Sequence, residues 1–228
     1  GCYDAAVALR TPFISGKDSF YNEFAYQGKT ISIPGTILIS AMGIVENIEK
    51  TVTMDFKEKD NLIYVVGDTL DEMGGSIYYD TFGKLGNSVP HVNFKNALKI
   101  FTVLQGAIQK GLVRAAHDCS EGGLAVALSE MAFAGGFGAS VFLAKVPFKG
   151  KKAQNDIVLF SESNSRFVVE VAPSHQKNFE NVLKGINFGL VGQVKTEKIF
   201  TVYGLKGEAC VTSNIQSLKQ SWQKTLRW

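Results

Sequence analysis

The sequence predicts an α+β fold in which helices cover a sheet. Apolar runs rich in β-branched residues recur along the chain, as in "NLIYVVGD" (61–68), "RFVVEV" (166–171) and "NFGLVGQV" (187–194). Two other stretches, 91–111 and 112–136, carry apolar residues at helical spacing. Because some strands are joined by short turns and others by helices, we expect a sheet that is covered by helices on one face.

The composition fits a globular protein with a full core. The 228 residues are 45% hydrophobic and 20% charged, and a net charge of +3, evenly spread, does not predict nucleic-acid binding. The sequence contains no run of about 18 apolar residues, so we expect no membrane span. Cys2, Cys119 and Cys210 lie far apart and show neither zinc spacing nor a disulfide framework, so we expect a cytoplasmic protein.

The charged stretch "DFKEKDN" (55–61) is the clearest linker candidate. It divides the chain into residues 1–55 and a second domain, 56–228. The chain opens on Gly1-Cys2-Tyr3-Asp4, which resembles the middle of a helix. We therefore expect a fragment of a longer protein, whose first domain has lost its partners and pairs with another copy or stays mobile.

The first domain has two element signals. "YDAAVALR" (3–10) has helical spacing, and Thr11-Pro12 breaks that helix. "ISIPGTILISAMGIV" (31–45) is rich in β-branched residues and predicts one or two strands around a Pro34-Gly35 turn.

The second domain alternates strands and helices. "DEMGGS" (71–76) predicts a turn or helix start, and "DIVLF" (156–160) and "IFTVYG" (199–204) predict strands. Gly111 is the expected end of the first long helix, and Gly135-Gly136 of the second. The apolar stripes expected on these two helices comprise Phe94, Ala97, Leu98, Phe101, Leu104 and Ile108, then Leu124, Ala127, Leu128 and Met131.

The loop in "SGKDSFYNEF" (15–24) is the first candidate site. It is not a P-loop, because Thr11 replaces the first glycine, Pro12 interrupts the loop and Asp18 follows Lys17 where Ser or Thr is required.

The residue types of this loop still suit a phosphate and a magnesium ion. Gly16 lets the backbone approach a ligand closely. Lys17 can neutralise a phosphate, and Asp18 offers the carboxylate oxygen that Mg²⁺ prefers. Ser19 can donate to a phosphate or carbonyl oxygen. The alternative is a solvated turn with a Lys–Asp pair.

Two further polar loops adjoin predicted elements. "HDCSEGG" (117–123) leads into a helix whose first amides favour anions. His117 and Asp118 there could form an acid–base pair, while Asp118 or Ser120 as a simple N-cap is the favoured alternative. "FSESNSR" (160–166) offers a carboxylate and a cation between two predicted strands, and a polar hairpin loop is its favoured interpretation.

Taken together, five stretches resemble the phosphoribosylformylglycinamidine synthase (PurL) family, in the order and spacing of its C-terminal part. They are "PFISGKDSFYNE", "TVTMDF", "DEMGGS", "AAHDCSEGGLAVALSEMAFAGGFGA" and "LFSESNSRFVVEV". A weaker likeness extends to the aminoimidazole ribonucleotide (AIR) and selenophosphate synthetases. The resemblance implies that residues 1–55 are the remnant of a second ATP-binding-type domain and that residues 56–228 are an AIR synthase-type C-terminal α/β domain.

The resemblance also implies an activity. The family uses ATP and glutamine-derived ammonia to convert formylglycinamide ribonucleotide into its amidine, an ATP-dependent carbon–nitrogen ligation in purine biosynthesis. The chain looks like the shorter form of the enzyme, which works with a separate glutaminase subunit and a small bridging subunit. Its partners would also include the N-terminal sister half of the same enzyme.

The site residues follow from the same resemblance. Gly16, Lys17 and Ser19 would contact ATP, ADP at an auxiliary site, or substrate, and Asp18 would hold Mg²⁺. Shorter forms tend to have Gly-Asn-Val-Ser here. We prefer Asp18 to Lys17 as the metal ligand because a cation cannot ligate a metal.

No residue of this chain matches the family's catalytic histidine, which lies in the missing half, so we expect the fragment to be inactive alone. The alternatives are a non-catalytic half that packs on the catalytic half, and another member of the AIR and selenophosphate synthetase superfamily.

Overall fold

The computed structural model describes residues 1–17 and 22–226. Its internal contacts divide the chain into two compact units, 1–48 and 49–228. A single 3₁₀ turn (Ile48–Lys50) falls where the two units meet in the sequence. None of the helices in the described part of the chain has the length and apolar character needed to span a bilayer.

The first unit contains helix α1 (Cys2–Leu9) and a hairpin of strands β1 (Glu23–Tyr26) and β2 (Lys29–Ser32). The helix confirms the prediction for 3–10. Gln27 and Gly28 turn the hairpin with φ of 48° and 72°, as a tight two-residue turn requires. None of the residues described in this unit is buried.

The strand prediction for 31–45 is wrong beyond Ser32. Residues 33–45 form neither helix nor strand and are exposed. A β-branched run becomes a strand only when a neighbouring backbone completes its hydrogen bonds. Among the described residues of this unit, β2 pairs with β1 and with no other strand.

The second unit is built on a seven-stranded sheet in the order β4-β6-β3-β7-β5-β8-β9. The pair β5 and β8 is parallel, and the other pairs are antiparallel. The strands are β3 (Leu62–Val66), β4 (Ala115–Asp118), β5 (Gly138–Phe142), β6 (Phe167–Val171), β7 (Phe188–Lys195), β8 (Ile199–Tyr203) and β9 (Ala209–Asn214).

Helices pack on both faces of this sheet. Ile63 and Val65 of β3 join one core cluster with α4, whereas Tyr64 and Val66 join a second with α3 and α6. The expectation of one covered face is therefore wrong, because a strand that is apolar at every position must be buried on both sides. The helices are α2 (Ile77–Asp80), α3 (Phe94–Gln109), α4 (Gly123–Gly135), α5 (Asn155–Phe160), α6 (Gln176–Val182) and α7 (Ile215–Gln223).

Residues 156–160 belong to helix α5 and not to a strand. The apolar run of four residues, 157–160, is too short for its period to distinguish a helix from a strand. The long helices α3 and α4 confirm their predictions, and all four expected core residues of α4 are buried. On α3 the buried face is turned slightly, since Ile100 and Ala107 are buried while Leu98 and Phe101 are each 38% exposed.

The charged stretch 55–61 belongs to the second unit and is packed into it at Phe56 and Asn61, although residues 58–60 are exposed, so its interpretation as a linker is wrong. Phe56 and Asn61 are 1% and 2% exposed. The buried carboxylate of Glu170 accepts hydrogen bonds from the backbone N–H groups of Lys57 (2.8 Å) and Glu58 (3.1 Å) and from Asn61 Nδ2 (2.6 Å). The assignment of 1–55 and 56–228 to two family domains stays a prediction.

We expect Glu170→Gln to lower the free energy of unfolding by about 1–3 kcal/mol, because an amide NH₂ then faces a backbone or Asn61 donor. Burial raises the pKa of the Glu170 carboxyl, and this effect exceeds that of its hydrogen bonds, which lower the pKa. The folded state therefore binds the carboxyl proton more tightly than the unfolded state does. As a result, the stability of the wild type falls as the pH rises above the ordinary carboxyl range. In urea titrations from pH 4.5 to 8, the difference in free energy of unfolding between wild type and variant should become smaller as the pH rises. A difference that grows with pH would contradict this.

Candidate functional site

Three of the sequence motifs meet at one end of the sheet in the second unit. At this end β3 finishes, β6 begins and β4 finishes, since β6 pairs antiparallel with both. The loop after β3, the start of α4 and the loop between α5 and β6 therefore adjoin. We call their polar side chains the sheet-end cluster, which comprises Thr69, Glu72, Ser161, Glu162, Ser163 and Arg166.

Arg166 is the centre of the cluster and is 1% exposed. Its Nε donates to the carbonyl oxygen of Ser163 (3.0 Å), its Nη1 to Thr69 Oγ1 (2.8 Å) and its Nη2 to the carbonyl oxygen of Ser161. Burial lowers the pKa of the guanidinium, while the negative charges of Glu72 and Glu162 act in the opposite direction. Arg166 thus joins the end of α5 to the loop that follows β3.

The two serines complete this connection. Ser161 Oγ donates to the carbonyl oxygen of Leu70 (2.7 Å), and Ser163 Oγ accepts from the N–H of Leu70 (3.0 Å). Ser161 and Ser163 are 0% and 1% exposed. The interpretation of 160–166 as a polar hairpin loop is therefore wrong, because its polar groups bind backbone groups of a distant loop instead of water.

Glu162 supplies the negative charge at the start of α4. Its Oε1 accepts hydrogen bonds from the N–H groups of Gly122 (2.8 Å) and Ile77 (3.0 Å). The helix has Gly122 as its N-cap and no side-chain cap, so the expectation of Asp118 or Ser120 in that role is wrong. A carboxylate of the chain itself thus binds amide groups that could otherwise attract an external anion.

Glu72 is buried and only partly hydrogen-bonded. Its Oε1 accepts from the N–H of His91 (3.0 Å), whereas its Oε2 has no hydrogen bond to any residue that the structure describes. A buried carboxylate oxygen without a partner suits a water molecule or a ligand donor group. The sequence showed only a Gly-Gly turn here, because nothing in "DEMGGS" signals that this acid is buried.

His117 lies beside the cluster and links β4 to Glu130 of α4. Its Nε2 is 2.6 Å from Glu130 Oε2 and its Nδ1 is 3.2 Å from Asp118 Oδ1. The hydroxyl of Ser120 lowers the pKa of Asp118. Glu130 Oε1 in turn accepts from Trp222 Nε1 of α7 (2.7 Å). His117 and Asp118, a possible pair from the sequence, are in contact within a network that joins two helices.

The predicted nucleotide loop belongs to the first unit. Gly16 and Lys17 are exposed there, and a Cβ added at Gly16 would meet no atom of the described residues within 4 Å, so none of these residues blocks close approach to its backbone. Asp18 and Ser19 lie outside the described residues. Within 1–17 and 22–226, no group of three or more His, Cys, Asp or Glu side chains is arranged to hold a metal ion.

The comparison with known families agrees with this architecture. The family model of the AIR synthase related protein, C-terminal domain, matches residues 58–204. The chain belongs to this family. Over its whole length it is 37% identical to the phosphoribosylformylglycinamidine synthase subunit PurL of Alkaliphilus metalliredigens, and it spans 30% of that protein. The resemblance drawn from the motifs is thereby confirmed.

Solved structures confirm the fold. PurL of Thermotoga maritima complexed with FGAR superposes with a TM-score of 0.67 at 21% identity, over 75% of this chain and 30% of that one. The same protein complexed with ATP gives 0.61 at 22% identity, over 75% and 27%. The α+β prediction, with a sheet covered by helices, is therefore correct.

Proposed function

We propose that this chain is the C-terminal part of a phosphoribosylformylglycinamidine synthase. The whole enzyme would convert formylglycinamide ribonucleotide, ATP and glutamine-derived ammonia into the amidine in purine biosynthesis. The observation that carries the proposal is the 37% identity with a PurL subunit over the full length of the chain. The packing of "DEMGGS", "HDCSEGG" and "FSESNSR" around Arg166 and Glu162 supports it, because three family-like motifs then serve one structural unit.

The proposed part of this chain in the reaction is nucleotide binding at the loop of the first unit. The open backbone at Gly16 would approach a phosphate, and the exposed Lys17 would neutralise its charge. Asp18 would hold Mg²⁺, which takes carboxylate and phosphate oxygens together, and Ser19 would bind nucleotide or substrate. When bound, the metal supplies charge neutralisation at the phosphates. We assign no catalytic residue to this chain, and the chain alone would be inactive.

The proposed partners are those of the shorter enzyme form: a glutaminase subunit, a small bridging subunit and the N-terminal sister half. The relative from A. metalliredigens is itself named as a subunit. We place the complex in the cytoplasm.

Calorimetric titration with Mg²⁺·ADP and Mg²⁺·ATP tests the nucleotide site. We expect saturable, magnesium-dependent binding that Asp18→Ala weakens at least about tenfold, since one charged metal ligand is worth more than about 1.4 kcal/mol. Asp4→Ala is the matched control, because it removes an exposed carboxylate of α1 from the same unit. Equal binding by wild type and Asp18→Ala would overturn the assignment of the metal to Asp18.

A scaffolding half is the second candidate function. Glu162 already binds the amides at the start of α4, and Arg166 donates three hydrogen bonds to groups of the chain itself. A unit in which these two charged groups bind groups of the same chain can support a sister half without binding a ligand. No nucleotide binding in the titration, together with ammonia-dependent activity restored when the separate N-terminal part is added, would favour this role.

A further inference from the structure

A cavity of about 340 Å³ lies under helix α7 in the second unit. Its walls are formed by α4, the end of α5, strands β8 and β9, and α7. They are almost entirely apolar, and they include Val126, Phe133, Phe160, Phe200, Val202 and Trp222. Neither the proposed nucleotide loop nor the sheet-end cluster contributes a side chain to this cavity.

Helix α7 is attached at both of its ends, and Leu218 in its middle lines the cavity and packs partly against the same core. At its start, Ile215 is 5% exposed and belongs to the core. Near its end, Trp222 donates to Glu130 and its ring lies 5.8 Å from that of Phe133. Between these contacts the small side chains of Ala125 and Ser129, one turn apart on α4, line the cavity beside the larger Val126 and leave space there.

The chemistry of the walls defines a ligand class. Four aromatic rings line the cavity, and that of Phe160 is fixed by stacking on Tyr78 at 4.4 Å. Glu130 is the one charged side chain among the described residues that line the cavity. Each of its oxygens already has one partner, but a carboxylate oxygen has two lone pairs and can accept a further hydrogen bond.

We propose that this cavity binds a small, neutral aromatic molecule that carries an N–H donor. The rings would stack on or meet the edge of the ligand, and Glu130 would accept its N–H. The volume lies within the range of small-molecule sites, and aromatic walls with one placed polar group are typical of them. The inference does not rest on the proposed function, because every residue that carries it lies in the second unit.

N-phenyl-1-naphthylamine is a suitable probe, since it is neutral, has two aromatic parts and one N–H, and fluoresces in apolar surroundings. Titration of the full chain should give saturable binding at one site. Ala125→Leu should fill the cavity and weaken binding at least tenfold. Ala134→Leu is the matched control, because Ala134 is exposed on the same helix, and it should bind as wild type does.

Two results would overturn the proposal. The first is equal affinity in the wild type and Ala125→Leu, which would place the probe on another apolar surface, such as that of the first unit. If circular dichroism shows that Ala125→Leu has lost its fold, Ser129→Leu fills the same space and decides instead. The second uses the Trp228→Phe variant, in which Trp222 is the remaining tryptophan. A probe inside the cavity would contact the Trp222 ring, so binding without fluorescence energy transfer from Trp222 to the probe would overturn the proposal.

Discussion

Replacement of Arg166 by methionine should lower the free energy of unfolding by about 3–5 kcal/mol, which is the usual cost of removing one member of a buried charged network. Thr69 Oγ1 and the carbonyl oxygens of Ser161 and Ser163 would lose their donors. The carboxylates of Glu72 and Glu162 would lose the nearby positive charge. Urea unfolding followed by circular dichroism measures the effect.

Arg114→Met is the control for this experiment, because Arg114 is exposed and its loss should change stability by less than about 0.5 kcal/mol. Arg166→Lys separates the effect of charge from that of geometry. A lysine ammonium keeps the positive charge but cannot reach three acceptors in a fixed plane. We therefore expect a free energy of unfolding between those of the wild type and Arg166→Met. An Arg166→Met protein as stable as the control would show that the cluster contributes little to folding.

Gly123→Ala should have an effect of similar size, about 2–5 kcal/mol. Gly123 has φ of 60°, which costs an L-residue about 1–2 kcal/mol. The added Cβ would also lie 2.4 Å from the carbonyl oxygen of Ser161 and 2.9 Å from that of Leu159. Since both contacts are with backbone, α4 must move away from the end of α5, and overpacking of this kind costs about 1–3 kcal/mol.

The same substitution at Gly106 is expected to have the opposite sign. Gly106 lies inside α3, and a Cβ there would meet no atom within 4 Å. Alanine should raise the free energy of unfolding by roughly 0.5–1 kcal/mol, because it restricts the backbone of the unfolded chain more than glycine does. Thermal unfolding of the two variants side by side measures both effects. A melting temperature for Gly123→Ala at or above that of Gly106→Ala would contradict the close packing at α4.

The sequence predicted elements best where a pattern was long. Thirteen residues of α4 carry enough periods to identify both the helix and its buried face. The four apolar residues of α5 do not, and the sequence wrongly predicts a strand there. The strand expected over 31–45 failed for another reason, since strand formation depends on a pairing partner and not on the run itself.

The candidate site was the harder part to predict. "SES" and "DFKEKDN" are polar stretches of the kind that usually face water, yet Ser161, Ser163 and Asn61 are buried. Their burial depends on partners far away in the chain, such as Glu170 for Asn61, 109 residues apart. Local composition contains no information on such pairings. Resemblance to a family identified these motifs as important, but the structure was needed to show which atoms they join.

The carboxylate of Glu162 has a thermodynamic consequence. A site that is filled from solution makes the stability of its protein depend on the concentration of the ligand, through mass action. At the start of α4 the group that accepts from the amide is the Glu162 carboxylate, which is part of the chain itself. Its effective concentration is therefore fixed by the fold and not by the solution. This end of the unit is therefore held together equally well in nucleotide-rich and nucleotide-poor conditions.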